Sequence, residues 1–281
     1  MRKILIPTDF SENSMNAIKY ATEHFKHGPC EIYLLHAYAD EVYDIKRQHP
    51  DTPFEDLRNK VCQAAEGSLN SLKEKVIKFS PNPKHKVQPI AEFGMLVDCV
   101  NDWVEKENID VVVMGTKGKT ADRNLTFGSN TLQVIKYVKC PVLAIPSVYS
   151  QVHPKHILFP TDFLLPYKRR ELKLLSTLAK CFAAKIDLLY VSRFLDLSLR
   201  QQDNKAFLEA SFTENRVNFI HKNESDIATA INEQLDQSDV DMLVMVNTRH
   251  SYLENILYQS TIEKIGLHID IPFLVMQNLP R

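Results

Sequence analysis

Short, continuously apolar runs alternate with segments of helical period along this chain, and the whole alternation occurs twice. The stretch KILIPTDFSENSMNAIKYATEHF from Lys3 returns as HILFPTDFLLPYKRRELKLLSTLAKCF from His156. Each copy is an apolar run, then Pro-Thr-Asp-Phe, then apolar residues at helical spacing, which marks an internal duplication. The same order continues behind both copies: EIYLLHAY against KIDLLYVS, HKVQPIAEF against NRVNFIHK, NIDVVVMG against DVDMLVMV, and CPVLAIPS against IPFLVMQN. Runs this short and this rich in Val, Ile and Leu predict strands buried on both faces of a parallel sheet. The segments between them predict helices. Met15, Ile18, Ala21, Thr22 and Phe25 fall on one helical face, with Ser11 and Ser14 as candidate caps near its start. Phe54 to Phe79 and Leu96 to Val104 read likewise. The fold class that follows is α/β, two doubly wound five-stranded parallel-sheet domains with ligands at the carboxyl ends of the strands. Periodicity stops after Pro146 and resumes at His156, so the domains are expected at 1–148 and 154–281, joined through SVYSQVHPK.

The halves differ in length and in glycine. Roughly fifty residues separate the second and third strands of the first half, including HPDTPFEDL and a long helix, against about twenty-five in the second. Three of the chain's seven glycines lie in VVVMGTKGKTADRNLTFGSNT. Gly115 and Gly118 follow an apolar strand, remove side chains where backbone can approach a ligand, and could adopt positive φ. Gly128-Ser129-Asn130-Thr131 then opens a helical pattern through Leu132, Ile135, Tyr137 and Val138, presenting free N–H groups and two hydroxyls to an anion. Such an arrangement suits the phosphates of a nucleotide; a surface loop before a capped helix accounts for the same pattern without a ligand. Gly118-Lys119-Thr120 is not the end of a P-loop, because the position five before Gly118 is Val113. Pro7-Thr8-Asp9 likewise stands where a dinucleotide fingerprint would place glycines.

Composition narrows the function further. Lys and Arg number 34 against 35 for Asp and Glu, and the net charge of −1 offers no field for nucleic acid or an anionic membrane. No stretch approaches a membrane span, and Asp9 and Glu12 interrupt the first apolar run too early for a secretion signal. Five scattered cysteines without a C-x-x-C pair suit reduced thiols, so the expected location is cytoplasmic. No G-x-S-x-G or H-E-x-x-H motif supplies a catalytic agent. His24, His27 and Cys30, with His36, form the one metal-like cluster, but helix-end histidines facing water explain it, and no metal is assigned. His36 is expected to end the second strand. Trp103 reads as core beside Val100 and Val104, and DEVYDIKRQHPDTPF reads as either a mobile cover or a packed peripheral loop.

Gly115-x2-Gly118-x9-Gly128-Ser129, after an apolar strand and before CPVLAIP, resembles the nucleotide-binding motif of the universal stress proteins. ILIPTDFSENSMNAIKYA resembles that family's first strand and helix, and the likeness spans both halves, as in its tandem-domain members. The resemblance implies an adenine nucleotide, ATP or else ADP or AMP. Pro7, Thr8 and Asp9 would face adenine and ribose, Ala37 would lie beside the base, and Met114 and Gly115 beneath the ribose. Gly118 would border the phosphates, which Gly128, Ser129, Asn130 and Thr131 would hold. On spacing alone Asp9 serves equally as a ligand acceptor or as a cap or turn residue. The resemblance further implies a role in stress survival, an unidentified protein partner, and pairing through the last strands, PVLAIPS and PFLVMQN. The halves would then form an intramolecular pseudo-dimer, as a monomer or within a homodimer.

The second half keeps Pro160-Thr161-Asp162 but has Val246 for Gly115, Arg249 for Gly118, and Tyr258 or Gln259 for Gly128. If those positions require left-handed backbone, each replacement costs about 1–2 kcal/mol, and the side chains fill the phosphate space. A degenerate second site is expected, with Asp162 retained for helix capping or the domain interface. Arg216, Arg249 and His250 offer a different anion pocket or simply solvated charge. Three functions therefore compete: a nucleotide-binding regulatory module, a slow hydrolase with Mg²⁺ bridging the phosphates near Asp9 or Ser129, and a partner-binding scaffold with vestigial sites.

Overall fold

The computed structural model describes residues 1–118, 127–147, 149, 151–164, 167–194, 196–247, 253 and 269–278. These fall into two compact units, divided between residues 147 and 149. In the first, β1 (Arg2–Pro7), β2 (Cys30–Ala37), β3 (His85–Glu92), β4 (Val111–Gly115) and β5 (Val142–Ile145) form parallel strands in the order β3-β2-β1-β4-β5. In the second, β6 (His156–Pro160), β7 (Lys185–Val191), β8 (Arg216–Lys222), β9 (Met242–Asn247) and β10 (Phe273–Gln277) repeat it as β8-β7-β6-β9-β10. Both units are thus doubly wound α/β with five parallel strands.

Burial explains the strand pattern and corrects part of it. Val, Ile and Leu fill β1, β4 and β5, where Ile4, Val113 and Ile145 are inaccessible to solvent because helices cover both faces. The edge strands β3 and β8 are only half-buried, so their pattern is mixed rather than continuously apolar. Pro89 is tolerated in β3 because that strand pairs with β2 alone and its far side needs no N–H donor.

Helices α1 (Glu12–His24), α2 (Ala39–Gln48), α3 (Phe54–Phe79), α4 (Leu96–Glu107) and α5 (Ser129–Tyr137) belong to the first unit. Ser11 caps α1 by accepting from Ser14 N–H, whereas Ser14 is buried inside the first turn and is not a cap. The segment expected as a cover or loop is α2 and the start of α3, in which Tyr38, Val42, Leu57, Val61 and Ala65 make a core of their own. Its apolar residues recur at helical spacing once Val42 and Ile45 are taken together. His24 does not face water: it is buried, stacked on Tyr20 at 5.2 Å and edge-on to Phe25 at 4.9 Å. Trp103 is half-buried rather than core, donating to Glu92 at 3.0 Å with Lys106 over its ring. Tyr137 is exposed, and β2 runs one residue beyond His36.

The second unit contains α6 (Arg169–Phe182), α7 (Leu199–Ser211) and α8 (Ile227–Gln237) among its described residues. Here α7 alone spans β7 to β8, held at its start by a capping box between Ser198 and Gln201. The duplication extends to single hydrogen bonds. Asp110 accepts from Lys3 N–H at 2.9 Å, and Asp241 accepts from His156 N–H at 3.0 Å, each clamping the first strand of its unit to the fourth. Leu34 lies wholly buried in the middle of β2. Leu34→Ala is expected to lower the stability of the first unit by about 2–5 kcal/mol, read as a drop in its urea unfolding midpoint.

Candidate functional site

In each unit the strand order reverses beside the first strand, and the crevice outside the carboxyl ends of such neighbours is where open α/β sheets place ligands. In the first unit β1 and β4 pair there, bringing Pro7-Thr8-Asp9 next to Met114-Gly115. The chain leaves β1 through a turn that its own side chains hold. Phe10 N–H donates to Thr8 Oγ1 at 3.1 Å, and Ser11 N–H and Oγ–H donate to Asp9 Oδ1 at 3.0 and 2.5 Å. Phe10 consequently sits at φ 61°, a conformation that costs a bulky residue about 1–2 kcal/mol. His36 braces the turn from β2, with Nδ1 2.8 Å from Thr8 O and its ring 4.7 Å from that of Phe10.

The other wall begins where β4 ends. Gly128 N–H donates to Thr116 O at 2.8 Å and Thr131 Oγ–H donates to Gly115 O at 2.9 Å. Those two bonds pin the start of α5 against the end of β4. Gly128 stands at the N-cap without a side-chain acceptor, and Ser129 and Asn130 are exposed, so the first-turn N–H groups open outward. Thr131 is buried and its proton is spent on Gly115, so it braces the helix rather than offering a donor. Ala37 ends β2 half-buried, and Met114 is buried beneath the edge.

The glycines serve by lacking a side chain, not by their backbone. None of the described glycines has positive φ, and Gly128 has φ −72°, so the left-handed premise fails for all three positions. A Cβ on Gly115 would meet Asn13 O at 3.1 Å, because α1 crosses the end of β4 there. A Cβ on Gly118 would lie 3.3 Å from Asp9 Oδ2, so this loop comes directly against the carboxylate 109 residues earlier in the chain. Asn13, Ser14, Thr116 and His36 complete the wall. The sequence offered Ser14 as a cap and His36 as a strand end, and it gave no sign of Asn13 or Thr116, which carry no motif.

The second unit keeps the turn and changes its surroundings. Phe163 has φ 56°, its N–H donates to Thr161 Oγ1 at 3.1 Å, and Leu164 N–H donates to Asp162 Oδ1 at 2.8 Å. Asp162 is therefore a turn residue and not the cap of α6, whose N-cap position is Lys168 without a side-chain cap bond. Helix α7 closes over the turn, Gln201 donating to Asp162 O at 2.9 Å and Asn204 to Phe163 O at 2.6 Å. Val246 is buried within β9, which continues to Asn247. Arg249, His250, Tyr258 and Gln259 lie outside the described residues.

A self-held carboxylate turn facing a glycine loop at the switch point of a parallel sheet is the mark of a ligand-binding α/β protein. The pattern of the universal stress protein family matches residues 1–146 and again 153–277, and the chain belongs to that family. Two universal stress proteins of Methanocaldococcus jannaschii are similar to it. One is 31% identical over 155 residues, covering 51% of this chain and 81% of the relative; the other is 28% identical over 158 residues, covering 51% and 94%. The crystal structure of a universal stress protein from Archaeoglobus fulgidus matches 99% of this chain and 98% of its own, with a TM-score of 0.63 at 18% identity, a likeness of fold. Among the described residues no helix is long and apolar enough to cross a membrane.

Two expectations follow from this geometry. Gly115→Ala presses on main chain and is expected to cost about 1–3 kcal/mol, whereas Gly118→Ala meets only a side-chain oxygen and should stay within about 0.5 kcal/mol, both by urea unfolding. Burial raises the Asp162 carboxyl above its ordinary 3.8, with the bond from Leu164 N–H opposing. A raised acid contributes stability that is fully present below the unfolded value and is lost as pH rises through the folded one. Asp162→Asn keeps the acceptor for Leu164 and removes the charge. It should raise the unfolding midpoint of the second unit at neutral pH, an advantage that disappears below pH 3.8.

Proposed function

We propose that the first unit binds an adenine nucleotide, ATP or its ADP or AMP relatives, and that a protein partner in the stress response reads its occupancy. The observation that carries this reading is the bare face of Gly118, 3.3 Å in Cβ terms from the Asp9 carboxylate. A side chain at that position would press on Asp9, so the glycine lets the loop approach the acceptor closely, on the side where α5 begins. The two halves of a nucleotide ask for different chemistry, and both are available. Asp9, flanked by Pro7 and Thr8, supplies acceptor capacity for ribose hydroxyls or an amino group, with Ala37 leaving room for a flat base. Met114 and Gly115 form the floor beneath the sugar. Gly118 and the Ser129 and Asn130 N–H groups suit phosphates, where the dipole of α5 favours negative charge, while the Gly128 N–H is already given to Thr116 O. Thr131 acts at one remove, by fixing the helix to β4.

Binding by the second unit is not part of this reading. Its Asp162 turn is covered by Gln201 and Asn204 of α7, and Val246 replaces the glycine that lets main chain approach in the first unit. The retained turn is explained by its own hydrogen bonds, which need no ligand. A nucleotide of about thirty non-hydrogen atoms at roughly 0.3 kcal/mol each would bind with about 9 kcal/mol, near micromolar.

Purified protein, gently denatured, is expected to release about one adenine nucleotide per chain, identified by chromatography and mass spectrometry. The one-per-chain figure follows from assigning the nucleotide to the first unit alone. Gly118→Arg should weaken ATP binding by at least about 100-fold in calorimetry while leaving the thermal melt cooperative. No released nucleotide together with no heat on adding ATP and Mg²⁺ overturns the reading, as does unchanged affinity in Gly118→Arg.

A further inference from the structure

We infer that the first unit carries a second small-molecule pocket, behind the Thr8–Ser11 turn, that takes a phenolic acid: one aromatic ring with a hydroxyl at its inner end and an anionic group at its outer end. A cavity of about 320 Å³ lies there, between the start of α1 and the middle of α3, within the range of small-ligand sites. With the nucleotide cradle it shares the turn residues Thr8, Phe10 and Ser11, and Ser14 behind them.

The floor of the cavity is a buried pair of hydroxyls, Thr8 Oγ1 and Ser14 Oγ, 3.1 Å apart. Their protons are already assigned. Ser14 donates to Ser11 O at 2.9 Å, so Thr8 is the donor within the pair, and Thr8 accepts from Phe10 N–H. Each hydroxyl has one lone pair left and no proton to give. A group reaching this floor must be a donor, such as an O–H. The buried side chains of Ile18 and Leu72 line the walls and suit a flat apolar body. At the mouth stand Ser71 and Lys75, one helical turn apart on α3, exposed and without a hydrogen bond or ion pair among the described residues. They offer hydroxyl and ammonium donors to an anion.

The duplicated half identifies the ring. Six residues after Thr8 stands Ser14; six residues after Thr161 stands Tyr167. There the phenol of Tyr167 is hydrogen-bonded to Thr161 Oγ1, buried, with its ring edge-on to Phe159 at 6.0 Å. The second copy thus supplies from its own chain a hydroxylated ring bonded to the same threonine. In the first copy serine takes that position and the cavity opens on the same threonine–hydroxyl pair. A phenol from solution would add there the ring and hydrogen bond that the second copy supplies from its own chain.

The probe is 4-hydroxyphenylacetate, with phenylacetate as the analogue lacking the inner hydroxyl, followed by saturation-transfer NMR and calorimetry on the full chain. For about eleven non-hydrogen atoms the expected Kd is about millimolar or tighter, and about fivefold or more weaker for phenylacetate. Ser14→Tyr, which copies the second half, is expected to abolish binding, and Lys75→Glu, on an exposed face, to weaken it about fivefold or more. A cooperative melt checks that each variant is folded, and Ser71→Trp blocks the mouth from the surface should Ser14→Tyr not fold. No binding to the folded wild type overturns the proposal, as does equal binding of the two probes or binding untouched by Lys75→Glu and Ser71→Trp. Gly118→Arg should retain the phenolic acid, so this pocket and the nucleotide cradle stand or fall separately.

Discussion

The first strand of each unit leads into a turn that holds a phenylalanine at positive φ, and the arrangement at the carboxyl edge depends on that turn. A bulky residue adopts this conformation only where its surroundings over-determine it. Here the constraint is local: the threonine hydroxyl takes the phenylalanine N–H, and the aspartate takes the next one. The turn reverses the chain within three residues. It aims α1 across the end of β4, so that Asn13 main chain packs where Gly115 has no side chain, and it leaves the second oxygen of Asp9 toward Gly118. Strain stored in one residue therefore sets both walls of the candidate cradle.

Because the turn holds itself, it recurs in the second unit among different neighbours. Thr161, Asp162 and Phe163 reproduce its hydrogen bonds and its φ, while α7 seats Gln201 and Asn204 on its carbonyls. Asp162 thus keeps the turn role that Asp9 has, in a second copy with a different connection beside it. The long α2 and α3 of the first unit, with their own apolar cluster about Val42 and Val61, stand where the second unit has α7 alone.

The interior strands were legible because helices bury both of their faces and each residue must be apolar. The edge strands β3 and β8 escaped the same rule, since one side of each has no neighbour. Local patterns failed where a side chain's partner lies far along the chain. His24 looked like a solvated helix end and is buried by Tyr20 and Phe25; Trp103 looked like core and caps a half-open face through Glu92 and Lys106. Ser14 looked like a cap and is the floor of a cavity. The glycines were found, but for a reason the structure replaces: they make room for neighbours rather than adopting left-handed backbone.

The sequence by itself determined the duplication, the order of strands and helices, the family, and the positions of the turn and the glycine loop. Each of these is written in local composition and period, which nearby residues enforce. Only the tertiary structure decided which of those residues meet. Asp9 comes against Gly118, Thr131 is spent on Gly115, and α7 closes over Asp162 because parallel strands lay distant segments side by side at one edge. Spacing along the chain does not encode that proximity; the packing of helices on the sheet does.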